Sequence, residues 1–157
     1  VGLRLSREAA HQPRKPRICA LFCQRPFRPG QNALRSAGGG LPRLSDAVPE
    51  IAKRTDKQDR ISVFGNDNII YVASNRLPAS VYSYQFPIAN VDNRIGENYF
   101  ADLENHKPKL VVVVKQTATK PIFSRWSKEM NNFLHTECYR EVYGNDKYTI
   151  YEQQRER

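Results

Sequence analysis

Five consecutive apolar residues, Leu110-Val111-Val112-Val113-Val114, set the strongest limit on what this chain can fold into. A half-exposed strand alternates apolar and polar positions, whereas an uninterrupted β-branched run suits a strand covered on both faces. Burial on both faces requires helices above and below a sheet, so the run predicts a central strand of an α/β domain. The rest of the chain supplies such helices. Ala47, Val48, Ile51 and Ala52 form one stripe behind a Ser45 or Asp46 cap, with Pro49 acceptable in a first turn. A second helix is expected from about Arg94 to Asn105, turning Ile95, Tyr99, Phe100 and Leu103 inward. A third is expected from about Ser124 to Leu134, with Ile122, Trp126, Met130, Phe133 and Leu134 as its stripe.

Between these helices the pattern changes to short strands. Ile61 to Phe64 reads as a strand that Gly65 ends, after which Asn66 or Asp67 is expected to cap a short helix carrying Ile69, Ile70, Tyr71 and Ala73. Asn75 and Arg76 read as a turn, and Pro78 stops the helix. Ala79 to Tyr84 alternates, which predicts a strand with Val81 and Ser83 on one face and Ser80, Tyr82 and Tyr84 on the other, closed by Phe86-Pro87. The chain ends as a hairpin: Cys138 to Val142 or Tyr143, a Gly144-Asn145-Asp146 turn, then Tyr148 to Tyr151. The expected fold class is therefore α/β: a small mixed sheet with flanking helices, in two or three layers, with a C-terminal β-hairpin and at least one buried parallel pair. Residues 44–152 form the domain, and 153–157 are expected to fray.

A net charge of +9 and a pI near 9.7 suggest a nucleic-acid partner until the charge is located. Nine of the 25 basic residues but one of the 16 acidic residues precede Leu44, a balance of +8 there and +1 after it. The folded part is nearly neutral, which argues against nucleic acid as its partner. The first 43 residues hold five of the ten prolines, five of the eight glycines and none of the eight tyrosines, so they are expected to be disordered. Arginine outnumbers lysine eight to one there and equals it afterwards, a composition that also fits translation from a misplaced start or in a wrong frame. No apolar stretch reaches the roughly 18 residues of a membrane span, and no signal peptide is evident, so the chain as written is expected to be soluble.

Chemistry-bearing residues are sparse. Cys19 and Cys23 form a C-x3-C pair in the N-terminal segment and Cys138 stands alone, so no four-ligand zinc set forms, and no metal site is expected. His11, His106 and His135 lack acidic or cysteine neighbours at ligand spacing. Asp59, Asp67, Asp92 and Asp102 each have an adequate local role as cap, turn or surface residue. Gly65 entering a capped helix resembles an anion-binding turn, but Asn66-Asp67-Asn68 brings no further glycine, so a phosphate loop is not supported. No nucleophile elbow or His–carboxylate pair is present, and no catalytic residue or cofactor is assigned.

Two segments carry a resemblance to a known family. Val63 to Asp67 with Ile70 to Pro87, containing Arg76-x-Pro78-Ala79-Ser80-x-Tyr82, and Phe100 to Glu104 with Lys107-Pro108-Lys109 and the apolar strand, resemble the extracytoplasmic C-terminal region of GT-C membrane glycosyltransferases. Protein mannosyltransferase-like and aminoarabinose transferase-like enzymes are of this kind and use polyprenyl-phosphate sugars as donors. The resemblance covers about residues 46–152. It implies a partner transmembrane glycosyltransferase domain, a polyprenyl-phosphate sugar, an acceptor, and a location on the extracytoplasmic face of a membrane. The family's catalytic carboxylate and lipid-donor cavity belong to its membrane part, so this chain is expected to be inert by itself. As a lid over that cavity, it would present Asn66, Asp67, Arg76, Ser80 and Tyr82 as acceptor-facing or interface candidates, although Arg76 can equally pair with a carboxylate beside its turn. Two alternatives stay open: a free-standing α/β sugar- or nucleotide-binding module, and a basic RNA-associated protein acting through residues 1–43.

Overall fold

The computed structural model describes residues 44–85 and 88–154. The expectations for residues 1–43, for the Phe86-Pro87 stop and for the last three residues lie outside this range. Helix α1 spans Leu44–Arg54, strand β1 Arg60–Phe64, helix α2 Ile69–Ser74 and strand β2 Leu77–Pro78. Helix α3 (Asn93–His106), β3 (Leu110–Val114), the single-turn helix α4 (Lys115–Ala118), α5 (Ser124–Thr136), β4 (Tyr139–Gly144) and β5 (Tyr148–Gln153) follow. The five strands form one mixed sheet in the order β2-β1-β3-β5-β4. Strands β1 and β3 run parallel, with Ile61 opposite Leu110 and Phe64 opposite Val113. Strand β5 runs antiparallel to both β3 and β4.

The valine run occupies the centre of this sheet and is covered on both sides. Leu110, Val112 and Val114 pack with Ile61, Val63, Tyr148 and Ile150 beneath α1 and α2, where Ala47, Ile51, Ile70 and Tyr71 meet them. Val111 and Phe64 face the opposite layer, built from Tyr99 and Leu103 of α3 and Trp126, Met130, Phe133 and Leu134 of α5. Each such aliphatic side chain contributes about 1.5–3 kcal/mol on leaving water. The result is a three-layer α/β sandwich.

Helix α3 begins as its sequence dictates, since the Asp92 carboxylate accepts the Arg94 N–H at 3.0 Å. Its other end turns through Lys107 at φ 40°, whose N–H returns to the Leu103 carbonyl. Helix α1 begins at Leu44, so Ser45 and Asp46 lie inside its first turn and not before it. Of its expected stripe, Ala47 and Ile51 are buried while Ala52 is exposed. Ile122 leaves the α5 stripe and is 65% exposed, because it sits in the separate turn Pro121–Phe123.

The strand expected over Ala79–Tyr84 does not form. Strand β2 is two residues long, pairing Leu77 with Arg60 and Pro78 with Ile61, and the Ala79 N–H makes one last bond to the Ile61 carbonyl. The Ser80 hydroxyl then accepts the Tyr82 N–H at 3.0 Å, which bends the chain out of the sheet. Beyond this bend, the free edge of β1 is closed by side chains. The Val63 N–H donates to Tyr71 Oη at 2.8 Å and the Val63 carbonyl accepts Gln85 Nε2 at 3.1 Å. Together these two side chains replace the missing length of β2.

Candidate functional site

Strands β1 and β3 are neighbours whose following connections go to opposite faces, β1 into α2 and β3 into α4 and α5. In open α/β sheets, ligands bind in the crevice that such a divergence opens at the carboxyl ends of the strands. Gly65 follows the carboxyl end of β1 and lies tight against Val114 of β3. Its φ of 146° and a notional Cβ only 2.5 Å from Val114 Cβ exclude any other residue without a backbone shift.

Asp67 is the centre of this end of the sheet. One carboxylate oxygen accepts the Tyr148 hydroxyl at 2.7 Å and the Lys147 ammonium at 2.9 Å, which ties the β1–α2 loop to the start of β5. The hairpin turn is pre-shaped for this contact, since Asn145 Oδ1 accepts the N–H groups of Lys147 (2.9 Å) and Tyr148 (2.6 Å). Lys115, leaving β3, donates its ammonium to the Asn145 carbonyl. Burial pulls the Lys147 ammonium down, but hydrogen bonds to Tyr148 and Asp67 and their charges outweigh it, and its pKa is raised. Burial raises the Tyr148 phenol, and Asp67 raises it further. Near neutral pH, Lys147 therefore stays cationic and Tyr148 stays a neutral donor, so neither serves as a base. Asn66 is exposed beside this cluster. Asn68 Oδ1 is buried without a hydrogen-bond partner. Asp67 does not cap α2, whose N-cap position is Asn68. Replacing Asp67 with asparagine is expected to cost about 1–2 kcal/mol, the usual range for a charge-assisted hydrogen bond of this exposure. Urea denaturation of the two proteins measures it.

The other candidates lie elsewhere. Arg76 precedes β2, whose first residue pairs with the first residue of β1, so it sits at the opposite end of the parallel strands from Asp67. Its guanidinium donates to Thr55 Oγ1 (2.9 Å), the Thr55 carbonyl (2.8 Å) and the Ser74 carbonyl (2.8 Å). Arg76 thus clamps the end of α1 to the end of α2, and its recorded partners are carbonyls and a hydroxyl, where a carboxylate was an alternative. Ser80 donates to Asp102 Oδ2 on α3 at 2.7 Å, and Tyr82 packs against the α3/α5 layer with its hydroxyl 3.4 Å from Asn98 Nδ2. The five residues therefore occupy three places and do not converge.

Two clefts accompany these groups. One is an apolar crevice of about 60 Å³ between α5 and the sheet, lined by Phe64, Val113, Met130 and Tyr151 among others, with room for about two waters. The other is an open polar groove where Arg54 and Arg140 face Glu141 and Glu152. In it, Glu152 is already held by Arg54 at 3.4 Å and by Lys109 at 2.9 Å. Among the described residues no group of three or more His, Cys, Asp or Glu side chains could hold a metal ion. No helix among them is long and apolar enough to cross a membrane. No family model, curated protein or solved structure matches the chain.

Proposed function

We propose that this chain is, or is homologous to, the soluble C-terminal domain of a GT-C membrane glycosyltransferase that uses a polyprenyl-phosphate sugar, and that it is inert by itself. The observation that carries this reading is the joining of the two segments that bear the resemblance. Ser80 of the Arg76-x-Pro78-Ala79-Ser80-x-Tyr82 segment hydrogen-bonds Asp102, which lies within the other segment, and the Val81 N–H reaches the same carboxylate oxygen at 3.4 Å. Leu103 is buried in the core, and the Tyr139 hydroxyl donates to the Pro108 carbonyl at 2.6 Å. Lys107 and Lys109 pair with Glu137 and Glu152 at 2.6 Å and 2.9 Å. The shared pattern is thus one that a common fold would require, independent of any reaction, and it fits a domain whose chemistry resides in a partner. On this reading Asp67 and Asn66, in the loop between β1 and α2, are the residues best placed to meet an acceptor.

The test is sugar transfer. The purified chain, given a polyprenyl-phosphate sugar and acceptor, is expected to transfer nothing, and turnover by the chain alone would overturn the proposal. Membrane spans encoded directly upstream in the same frame are the positive result. A free-standing saccharide-binding module is the second reading, favoured by the orphaned Asn68 oxygen in that same loop. Saccharide binding by the chain that Asp67→Asn abolishes would select it.

A further inference from the structure

Eight large apolar side chains are exposed among the described residues, and seven of them, Ile69, Val72, Leu77, Val81, Tyr84, Ile88 and Val91, come from one stretch of the chain. Val81 and Val91 are 85% and 91% exposed. That stretch is the β2 edge of the sheet: α2 leads into the edge strand, and the segment after it leaves on the α3 side. Its sequence from Ile69 to Val91 holds a single charged residue, Arg76, whose guanidinium turns inward to Thr55 and the Ser74 carbonyl. The opposite edge differs sharply. Strand β4 exposes Arg140 and Glu141 and carries an irregular register between Glu141 and Tyr143, both devices that keep an edge from pairing.

Concentrated apolar exposure on a soluble domain marks a contact surface, and here the backbone beneath it is tied down. Ala79 bonds to β1, Ser80 to Asp102, and Gln85 to Val63. The apolar side chains are therefore presented outward by a fixed support. We propose that this edge is a membrane-contact surface that seats its valine, leucine and isoleucine side chains in the boundary layer of a lipid bilayer. Charge and shape both favour that occupant. A stretch whose one charge turns inward complements an uncharged apolar medium, with the exposed cations Arg60 and Arg94 at its borders, and a hydroxyl-bearing aromatic such as Tyr84 suits the headgroup level. The exposed residues lie on both sides of a sheet edge, and the two clefts described above draw no residue from them. Such a ridge enters a fluid layer more readily than it matches the flat, complementary surface of a second copy. The inference takes its support from the surface alone and stands or falls separately from the glycosyltransferase reading, which vesicle binding does not test.

The experiment is flotation of the purified full chain with phosphatidylcholine vesicles at low and high salt. The chain is expected to float equally at both, because the contact is apolar. The double variant Val81→Asp/Val91→Asp is expected to lower the vesicle-bound fraction about tenfold or more. Both positions are almost fully exposed, and an unchanged thermal midpoint verifies that the variant folds. Three outcomes overturn the proposal: no flotation, flotation that needs anionic lipid and is lost at high salt, or a concentration-dependent dimer that the double variant dissolves without any vesicle binding.

Discussion

Replacing Gly96 with alanine is expected to destabilise the domain by about 3 kcal/mol, the upper end of the usual cost of overpacking a core. Gly96 is buried on α3 where that helix crosses α5, and a Cβ there would lie 2.4–2.6 Å from three ring carbons of Trp126. The indole cannot step aside cheaply. Phe100 stacks on it at 6.2 Å with the rings 21° apart, and the Arg125 guanidinium lies 4.5 Å from its centroid. The helices must therefore separate or the indole must leave its rotamer. For a domain of this size the loss is expected to lower Tm by about 10 °C or more. If steric overlap is the cause, Trp126→Leu should relieve it, and Gly96→Ala/Trp126→Leu should be more stable than the sum of the single variants predicts. Additive losses would show that Gly96 matters for some other reason.

Raising the pH above 10 is expected to unfold the protein cooperatively, because its tyrosines keep their protons only when folded. Burial pushes Tyr71 up to about 12, although the Val63 N–H that it accepts opposes this. Burial and then Glu141 push Tyr151 up to about 12. Tyr99 and Tyr139 rise still further, chiefly through burial. An unfolded chain releases these protons near pH 10, so between pH 10 and 12 the native state binds more protons than the unfolded one and stability falls as pH rises. The stabilisation is fully present below pH 10 and is lost as pH climbs through 12. Tyr71 alone accounts for about 2–3 kcal/mol across that window. Circular dichroism followed against pH, beside tyrosinate absorbance, measures the coupling. Tyr151→Phe should make the alkaline loss shallower, whereas tyrosinate signals appearing near pH 10 in a protein that stays folded would contradict the account.

The layers of this fold were legible because they rest on local patterns. The valine run suits a strand buried on both faces, and Tyr99, Leu103, Trp126, Met130 and Phe133 fall at helical spacing as inward stripes. The misreading at Ala79–Tyr84 has a definite cause. Alternation fits a strand, but β1 offers that segment no partner once Tyr71 and Gln85 have taken the polar groups of Val63. Neither replacement bond can be read from residue spacing. The candidate site was half legible for the same reason. Asp67 and Asn66 stand out beside a strand-ending glycine, whereas Tyr148 reaches Asp67 across 81 positions, with Lys147 beside it, and neither carries a local mark of that contact. Arg76, Ser80 and Tyr82 carry the family pattern through structural contacts, which sequence alone cannot separate from roles in binding.

The position of β5 has a consequence for how the protein is made. Strand β5, the last one among the described residues, lies between β3 and β4 and buries Tyr148, Thr149 and Ile150 at the middle of the sheet. Until the ribosome releases that strand, β3 has an open side, β4 has no neighbour, and the contact between Asp67 and Tyr148 has no second half. The domain therefore cannot complete its fold before β5 has left the ribosome, and the hydrophobic strands already made stay exposed to aggregation until then.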